Sequence, residues 1–353
     1  MVVDVALYLA VHQPRRLKLP AQPIPRGASI EDITHCLFDE RLNERSFRHV
    51  AQSCYYPAVR QFLELVQQQG VHLALGISLS FVQQAALWEP ALLDLFRELA
   101  AEEIVELVGM DPYRSLHCLL DLPAFVMRMQ WMAGEIEQVF GKRPTVSDTV
   151  GVGMSSSIYH ALDAAGFRGA LLESSPQVMQ WRSSNYLYCA DDDQTCAAEI
   201  KLPTRARRST AKMSERDRLG PPYTVDDPFE HAPYLLARHE ALSADISTHF
   251  ASHARASNPL YADAYANWLA RAEGDYVLLG WDMEIFGEHQ ASSIYEFMQA
   301  LPRELEKRGI ATRTPDELIE RFATERAYQL PLPIHAASLA SFTNPDLYCE
   351  HEE

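Results

Sequence analysis

Short runs of almost unbroken apolar residues recur along the chain and alternate with longer segments in which apolar residues stand three or four positions apart. The apolar runs cover residues 3–11, 72–79, 104–109, 169–173 and 276–280, and residues 143–146 lead into one more. Such continuous runs are typical of strands buried on both faces of a parallel sheet. The pattern therefore predicts a parallel sheet with both faces covered.

The intervening segments carry the periodicity of amphipathic helices. They cover residues 43–69, 92–101, 125–140, 157–165, 293–308 and 315–322. Gly141 and Gly166 directly follow two of them and fit helix ends. This alternation implies parallel crossovers, and 353 residues suit a single α/β barrel. We place the barrel domain at residues 1–335, with a charged loop excursion at about 191–227, and a C-terminal tail at 336–353.

Composition narrows the range of partners. The formal net charge of -17 would repel phosphate backbones and anionic lipids, which bind proteins through clustered Lys and Arg. No stretch reaches the roughly 18 apolar residues of a spanning helix, and residues 1–10 lack a basic leader. The six cysteines show no metal-binding spacing. We therefore expect a cytoplasmic protein with a neutral ligand or a protein partner, and neither a nucleic-acid nor a membrane partner.

Polar side chains stand where three predicted strands end. His12 and Gln13 follow the first strand, Glu173 ends the fifth, and a run from Asp282 to His289 follows the strand at 276–280. Parallel barrels build their active sites at this end. Glycosidic cleavage requires one carboxylic acid that protonates the leaving oxygen and a second carboxylate that attacks or activates water. Trp181 and Trp281 would add flat apolar faces for a sugar ring.

Six segments, in four groups, resemble the family 57 glycoside hydrolases, which include amylases, glucanotransferases and branching enzymes. They are the His-Gln-Pro motif at 12–14, the pair of segments 38–43 and 54–58, the segments 169–173 and 181–186, and Gly-Trp-Asp-Met-Glu-Ile-Phe-Gly-Glu-His-Gln at 280–290. The resemblance extends from Val3 to about Pro333. It implies an incomplete parallel (β/α)7 barrel, hydrolysis or transfer of α-glycosidic bonds in starch, glycogen or maltooligosaccharides, and no cofactor.

The resemblance also implies residue roles, and the sequence departs from several of them. Asp282 stands where the family has its general acid/base. The nucleophilic Glu of the family falls on Val150 or Gly151, neither of which can attack a sugar. Arg114, in Tyr113-Arg114-Ser115-Leu116, stands where the family has a His, and basic residues at 201–218 replace a family-like Ser-Asp-Asp stretch. These departures leave an active enzyme and a catalytically deficient homologue as alternatives.

The candidate residues each have a functional and a structural interpretation. Asp282 is either the acid or a brace for backbone amides, and His12 either contacts substrate or fills the barrel mouth. Glu173 is either a second carboxylate or the partner of Arg182 in an ion pair. Asp148 shares a strand face with Val150 and could replace the lost nucleophile. The candidate catalytic residues are Asp282, Glu173 and Asp148, and the candidate substrate-binding residues are His12, Gln13, Tyr113, Arg114, Trp181, Arg182, Trp281, Glu284 and His289.

Three functions remain open at this point: an active α-glucan hydrolase or transferase, a catalytically deficient carbohydrate-binding or regulatory protein, and a binder of an anionic sugar such as a sugar phosphate. The last would use Arg114 and the basic run at 205–218. We expect no metal site, because Asp282, Glu284 and His289 lack zinc-ligand spacing. The family's C-terminal helical region is largely missing, so an exposed edge could recruit another subunit into an oligomer.

Overall fold

The computed structural model describes residues 4–149, 153–190, 233–250, 260–287, 293–323 and 327–333. Its strands are β1 (Asp4–Val11), β2 (Leu73–Ile77), β3 (Val105–Met110), β4 (Val146–Asp148), β5 (Gly169–Glu173), β6 (Leu187–Ala190), β7 (Tyr234–Arg238), β8 (Tyr276–Asp282), β9 (Ala311–Thr312) and β10 (Tyr328–Leu330). Its helices are α1 (Ile30–Leu37), α2 (Glu40–Val50), α3 (Tyr56–Gln69), α4 (Leu79–Trp88), α5 (Pro90–Ala101), α6 (Leu122–Phe140), α7 (Ser156–Ala165), α8 (Pro176–Met179), α9 (Glu240–Phe250), α10 (Ala262–Arg271), α11 (Ser293–Glu306) and α12 (Pro315–Ala323).

Seven parallel strands form a barrel in the order β8, β1, β2, β3, β4, β5 and β7. Within the described residues, β7 and β8 pair through Arg238 and Leu278, which closes the ring with a very short ladder. The remaining strands are attached at the margins, with β6 antiparallel to β7 and β9 beside the start of β1. The α/β architecture and the incomplete (β/α)7 barrel are confirmed.

Alternation along β1 divides its side chains between two cores. Ala6, Tyr8 and Ala10 face the barrel interior, while the intervening residues pack under the surrounding helices. Because both environments are apolar, the strand is hydrophobic at nearly every position, which is the pattern the sequence shows. The same rule places Asp148 at the end of β4 and Glu173 at the end of β5 on the interior side, two positions beyond Val146 and Leu171.

Helix α12 closes one end of the barrel. Leu318, Ile319 and Phe322 belong to the interior cluster, and the ring of Phe322 lies 6.0 Å from that of Tyr276, the first residue of β8, so the helix covers the amino-terminal end of the strands. Asp4, fully buried at the start of β1, accepts a hydrogen bond from Arg321 at 2.6 Å, which fixes the helix to the barrel. The opposite, carboxyl end of the strands is therefore where a ligand can enter.

The predicted elements are largely confirmed. All six predicted strands occur, and the helix predicted at 125–140 ends at Gly141, whose φ of 77° suits glycine. The segment predicted as one helix at 43–69 is broken by a π-helical turn at Ala51–Tyr55. Strand β7 was missed, and the predicted excursion and tail lie outside the described residues. No helix among the described residues is long and apolar enough to cross a bilayer.

Candidate functional site

Arg114 and Asp282 form an ion pair at the open end of the barrel. Nη1 of Arg114 donates to Oδ1 of Asp282 at 2.7 Å. The side chain of Asp282 is 54% exposed and that of Arg114 28% exposed, so both stay in contact with solvent. Asp282, at the end of β8, is thus held by Arg114, the residue that the sequence resemblance aligns with a family His. Within the described part of the chain, the structure therefore pairs the Asp282 carboxylate with Arg114 and not with backbone amides.

A second carboxylate lies deeper in the same end. Oη of Tyr8 donates to Oδ2 of Asp148 at 2.7 Å in the barrel interior, where Asp148 is 9% exposed. Burial first, and then the Asp148 carboxylate, raise the pKa of Tyr8 well above its usual value. The guanidinium of Arg114 acts on Tyr8 and on Asp148 as well. Asp148, Arg114 and Asp282 therefore form one electrostatic cluster with Tyr8 beneath it.

His12 borders this cluster. Its Nδ1 lies 2.9 Å from Oγ of Ser78, and the two share a hydrogen bond. Burial, and after it the positive charge of Arg114, lower the pKa of His12 to about 4. At neutral pH the imidazole is therefore uncharged and offers a ring nitrogen as a neutral hydrogen-bonding group.

Gln13 and Glu284 form a neighbouring polar network. Nε2 of Gln13 donates to Oη of Tyr55 at 3.0 Å and to Oε1 of Glu284, which also accepts from Tyr55 at 2.8 Å. Burial is the largest cause that raises the pKa of Glu284, although the hydrogen bond from Tyr55 opposes it. The backbone carbonyl of Gln13 is held by Ser80 and Gln84 at 2.5 and 2.7 Å. Gln13 thus joins the loop after β1 to the turn after β8.

Glu173 has a different partner from the one predicted. Its structural interpretation paired it with Arg182, but Nη2 of Arg238 donates to both of its carboxylate oxygens, at 2.5 and 2.8 Å. Arg182 instead donates to Gln180 and lies over the ring of Trp181. The reason is register, because Glu173 and Arg238 stand directly opposite each other on β5 and β7.

The two tryptophans differ in environment. Trp281 is 5% exposed, and its Nε1 donates to the carbonyl of Ser243 at 2.8 Å, so it belongs to the core and cannot serve as a sugar platform. Trp181 is 78% exposed in the segment that follows β5 and α8. Tyr113 is also exposed, with Arg128 stacked 5.7 Å from its ring. Trp181 and Tyr113 therefore keep aromatic surface available to a ligand.

Some predicted residues lie outside the described part of the chain. These are His289, and Val150 and Gly151, on one of which the sequence resemblance places the family's nucleophile. Among the residues that are described, no group of three or more His, Cys, Asp or Glu side chains is arranged to hold a metal ion.

The residues that sequence reasoning missed include Tyr8, Tyr55 and Arg238, each of which contacts a candidate residue of the site. Tyr8 lies in an apolar strand, where the alternation of faces was the available signal, since it puts Tyr8 on the same side as His12. Arg238 ends a short strand that was not predicted, so the pattern gave no reason to place it at the barrel mouth.

Comparison with known proteins decides the family. The model of glycosyl hydrolase family 57 matches residues 6–214 and 195–331, which is most of the sequence. This chain belongs to glycosyl hydrolase family 57. The resemblance stated from the motifs is thereby confirmed. A protein of Methanocaldococcus jannaschii named "Putative alpha-amylase" is 27% identical to the family 57 chain over 300 residues, 84% of the chain and 55% of that protein.

Two solved structures show the same fold. The 4-alpha-glucanotransferase of Thermococcus litoralis matches with a TM-score of 0.62 at 13% identity. The match covers 95% of the family 57 chain and 42% of the glucanotransferase chain. The GH57-type branching enzyme of Pyrococcus horikoshii matches with a TM-score of 0.58 at 14% identity. The match covers 94% of the family 57 chain and 73% of the branching-enzyme chain. The chain thus spans about half the length of the first two relatives, at 55% and 42%.

Proposed function

We propose that this family 57 chain binds a neutral α-glucan oligosaccharide at the open end of its barrel and does not cleave it. The ligand class is inferred from relatives named for amylase, glucanotransferase and branching activity. The lack of cleavage rests on one observation, the ion pair between Arg114 and Asp282 at 2.7 Å. Fold alone does not transfer an activity, so this contact carries the argument.

Glycosidic cleavage requires a carboxylic acid free to protonate the leaving oxygen and a second carboxylate free to attack or to activate water. Oδ1 of Asp282 is taken by Arg114. Both oxygens of Glu173 are taken by Arg238, and Oδ2 of Asp148 accepts from Tyr8. By the sequence resemblance, the family's nucleophile position falls on Val150 or Gly151. The three candidate carboxylates Asp282, Glu173 and Asp148 are thus engaged in contacts that oppose both roles.

The same end retains groups that suit a sugar. The imidazole of His12 is uncharged at neutral pH, since its pKa is lowered to about 4 by burial. The exposed Asp282 and Arg114 offer further acceptors and donors to hydroxyl groups. Tyr113, with 43% of its surface exposed, provides an aromatic face beside them.

A sugar phosphate fits the described residues less well than a neutral glucan. The guanidiniums of Arg114, Arg128 and Arg238 each face a carboxylate already, on Asp282, Asp111 and Glu173 respectively. An anionic ligand would have to displace these carboxylates from the guanidiniums, or bind beside them without a cation of its own. Either has a considerable electrostatic cost. The basic segment at 201–218 lies outside the described residues, so it adds nothing to this comparison.

The proposal is tested with maltoheptaose by calorimetry and by release of reducing ends. We expect the wild type to bind without releasing reducing ends, and binding to change little between low and moderate salt. Arg114→Ala and Tyr113→Ala should weaken binding, whereas Arg143→Ala, which removes an exposed ion pair with Glu137 of α6, should not. Release of reducing ends by the wild type that is abolished in Asp282→Asn would show an enzyme instead. Absence of maltoheptaose binding would exclude the proposed ligand.

A further inference from the structure

Arg114 has a backbone conformation that its side chain does not favour. Its φ is 49°, in the left-handed region that residues other than Gly, Asn and Asp rarely occupy. Such a conformation persists where surrounding contacts impose it, and such residues cluster at functional sites. The contacts that impose it here can be identified.

Three successive backbone amides of this turn converge on Asp111. The amides of Tyr113 and Ser115, which flank Arg114, both donate to Oδ1 of Asp111, at 3.0 and 2.8 Å. The amide of Arg114 itself donates to the carbonyl oxygen of Asp111 at 3.1 Å. Asp111 is 8% exposed, so its carboxylate is largely withdrawn from water and committed to the turn.

Arg128 on helix α6 also contacts the Asp111 carboxylate. Nη2 of Arg128 lies 3.3 Å from Oδ2 of Asp111 and donates to Oγ of Ser115 at 3.3 Å. On the other side, the carbonyl of Pro112 accepts from the amide of Ser80 at 3.0 Å, which attaches the turn to α4. The turn at 111–115 is therefore anchored on two helices, and Arg114 projects from it towards Asp282.

We propose that Asp111 is the positioning residue that holds the 111–115 turn in its left-handed form and thereby keeps Arg114 paired with Asp282. Asp111 acts through Arg114 and does not itself contact Asp282. This inference does not depend on the proposed function, because it concerns the placement of Arg114 in the free protein.

The pKa of His12 depends on the position of Arg114. After burial, Arg114 is the largest influence that lowers this pKa, while the negative charges of Asp282 and Asp111 raise it. Removal of Asp111 therefore changes the pKa of His12 in two opposite directions. Loss of its charge alone lowers the pKa of His12. Departure of Arg114 raises it, and Arg114 is the stronger of the two influences.

The experiment is an NMR titration of the histidine rings in the full chain without any sugar. The His12 signal is assigned by its loss in His12→Gln. We expect Arg114→Ala to raise the His12 midpoint by roughly 0.5–1 pH unit. Asp111→Ala should raise it too, because it removes the acceptor of both flanking amides. Asp111→Asn keeps an oxygen acceptor and loses the charge, so it should not raise the midpoint.

A midpoint that falls or stays unchanged in Asp111→Ala would overturn the inference and leave Asp111 as a neighbouring charge only. Hydrogen exchange gives an independent readout. The amides of Tyr113 and Ser115 should lose protection in Asp111→Ala and retain it in Arg114→Ala. If Asp111→Ala does not fold, Arg128→Met tests the same anchor from α6 and should raise the His12 midpoint to a smaller extent, whereas no rise would count against the inference.

Discussion

Glu173 and Arg238 stand opposite each other on β5 and β7, and the guanidinium of Arg238 donates to both carboxylate oxygens at 2.5 and 2.8 Å. Arg238 also donates to the carbonyl of Gly280 at 3.1 Å, and it pairs in register with Leu278 of β8. The arginine therefore joins three strands at the point where the barrel ladder is shortest. Its role is to close the barrel as well as to neutralise Glu173.

Removal of one member of this pair should destabilise the fold. Arg238→Met leaves the Glu173 carboxylate, about 20% exposed, without its cation, and we expect a loss of roughly 1–3 kcal/mol in unfolding free energy. In Glu173→Leu/Arg238→Met most of this loss should be recovered, since apolar replacement of a whole pair is often near neutral.

Urea unfolding of the two single variants and the double variant measures this coupling. The matched control is Arg143→Met, at a pair whose side chains are 49% exposed, and it should change stability by less than about 1 kcal/mol. Additive losses in the double variant would show that Arg238 acts through Gly280 and Leu278 rather than through Glu173.

The closing strand also marks where sequence reasoning failed. The continuous apolar run of β1 was sufficient to predict a strand buried on both faces. Tyr234–Arg238 is only five residues long and follows a long charged segment, and a short apolar run cannot be assigned to strand or helix by periodicity. Its place in the sheet depends on pairing with β5, which is 65 residues away for Glu173 and Arg238.

The candidate site was predictable to the extent that strand ends define it. Asp282, His12 and Glu173 were located because each follows or ends a buried strand, and the family motifs drew attention to Arg114. Their partners were not predictable. The contact between Arg114 and Asp282 spans 168 residues, and that between Tyr8 and Asp148 spans 140. Such pairings follow from barrel closure, which no local pattern contains.

Tyr8→Phe removes the hydroxyl that donates to Asp148 at 2.7 Å. Because Asp148 is 9% exposed, water replaces this bond poorly, and we expect a loss of about 2 kcal/mol in unfolding free energy. Thermal and urea unfolding check it. Tyr295→Phe, which loses a bond to the backbone carbonyl of Phe286 at the periphery, serves as a comparison and should cost less. Equal costs would argue against a special contribution from the Asp148 carboxylate.

Gly76→Ala tests how closely the Tyr8 side chain packs against Gly76 of β2 in the barrel interior. A methyl group at Gly76 would overlap the hydroxyl of Tyr8 and lie 3.1 Å from the terminal carbon of Met110. We expect a destabilisation of about 1–3 kcal/mol from this overpacking. In Tyr8→Phe/Gly76→Ala the hydroxyl is absent, so the combined loss should be smaller than the sum of the single losses. An additive result would mean that Met110, rather than the Tyr8 hydroxyl, rejects the methyl group.

His12 should make stability depend on pH. Its pKa is lowered from 6.5 to about 4, mainly by burial, so the unfolded chain binds a proton between these values and the folded chain does not. Stability from this group is fully present above about pH 6.5 and is lost as pH falls towards 4, by at most about 3 kcal/mol. His12→Gln should flatten the decline in urea unfolding between pH 7 and pH 4.5. An unchanged slope would show that other groups cause it.

Glu106 should have the opposite pH dependence. It faces the closed end of the barrel, where its Oε2 accepts from the amide of Asp316 at 2.9 Å, and burial raises its pKa to about 8. Between pH 4.5 and 8 the unfolded chain releases this proton while the folded chain keeps it. The contribution of Glu106 is therefore fully present below about pH 4.5 and is lost as pH rises through 8.

Glu106→Gln retains an oxygen that can accept from Asp316 and removes the titration. Relative to the wild type, the variant should gain stability as pH rises, with a difference of a few kcal/mol between pH 5 and pH 8.5. Urea unfolding at several pH values measures it, and Glu98→Gln on the exposed face of α5 should show no such trend. A pH-independent difference would mean that the Glu106 carboxyl is ionised in the folded protein already at pH 5.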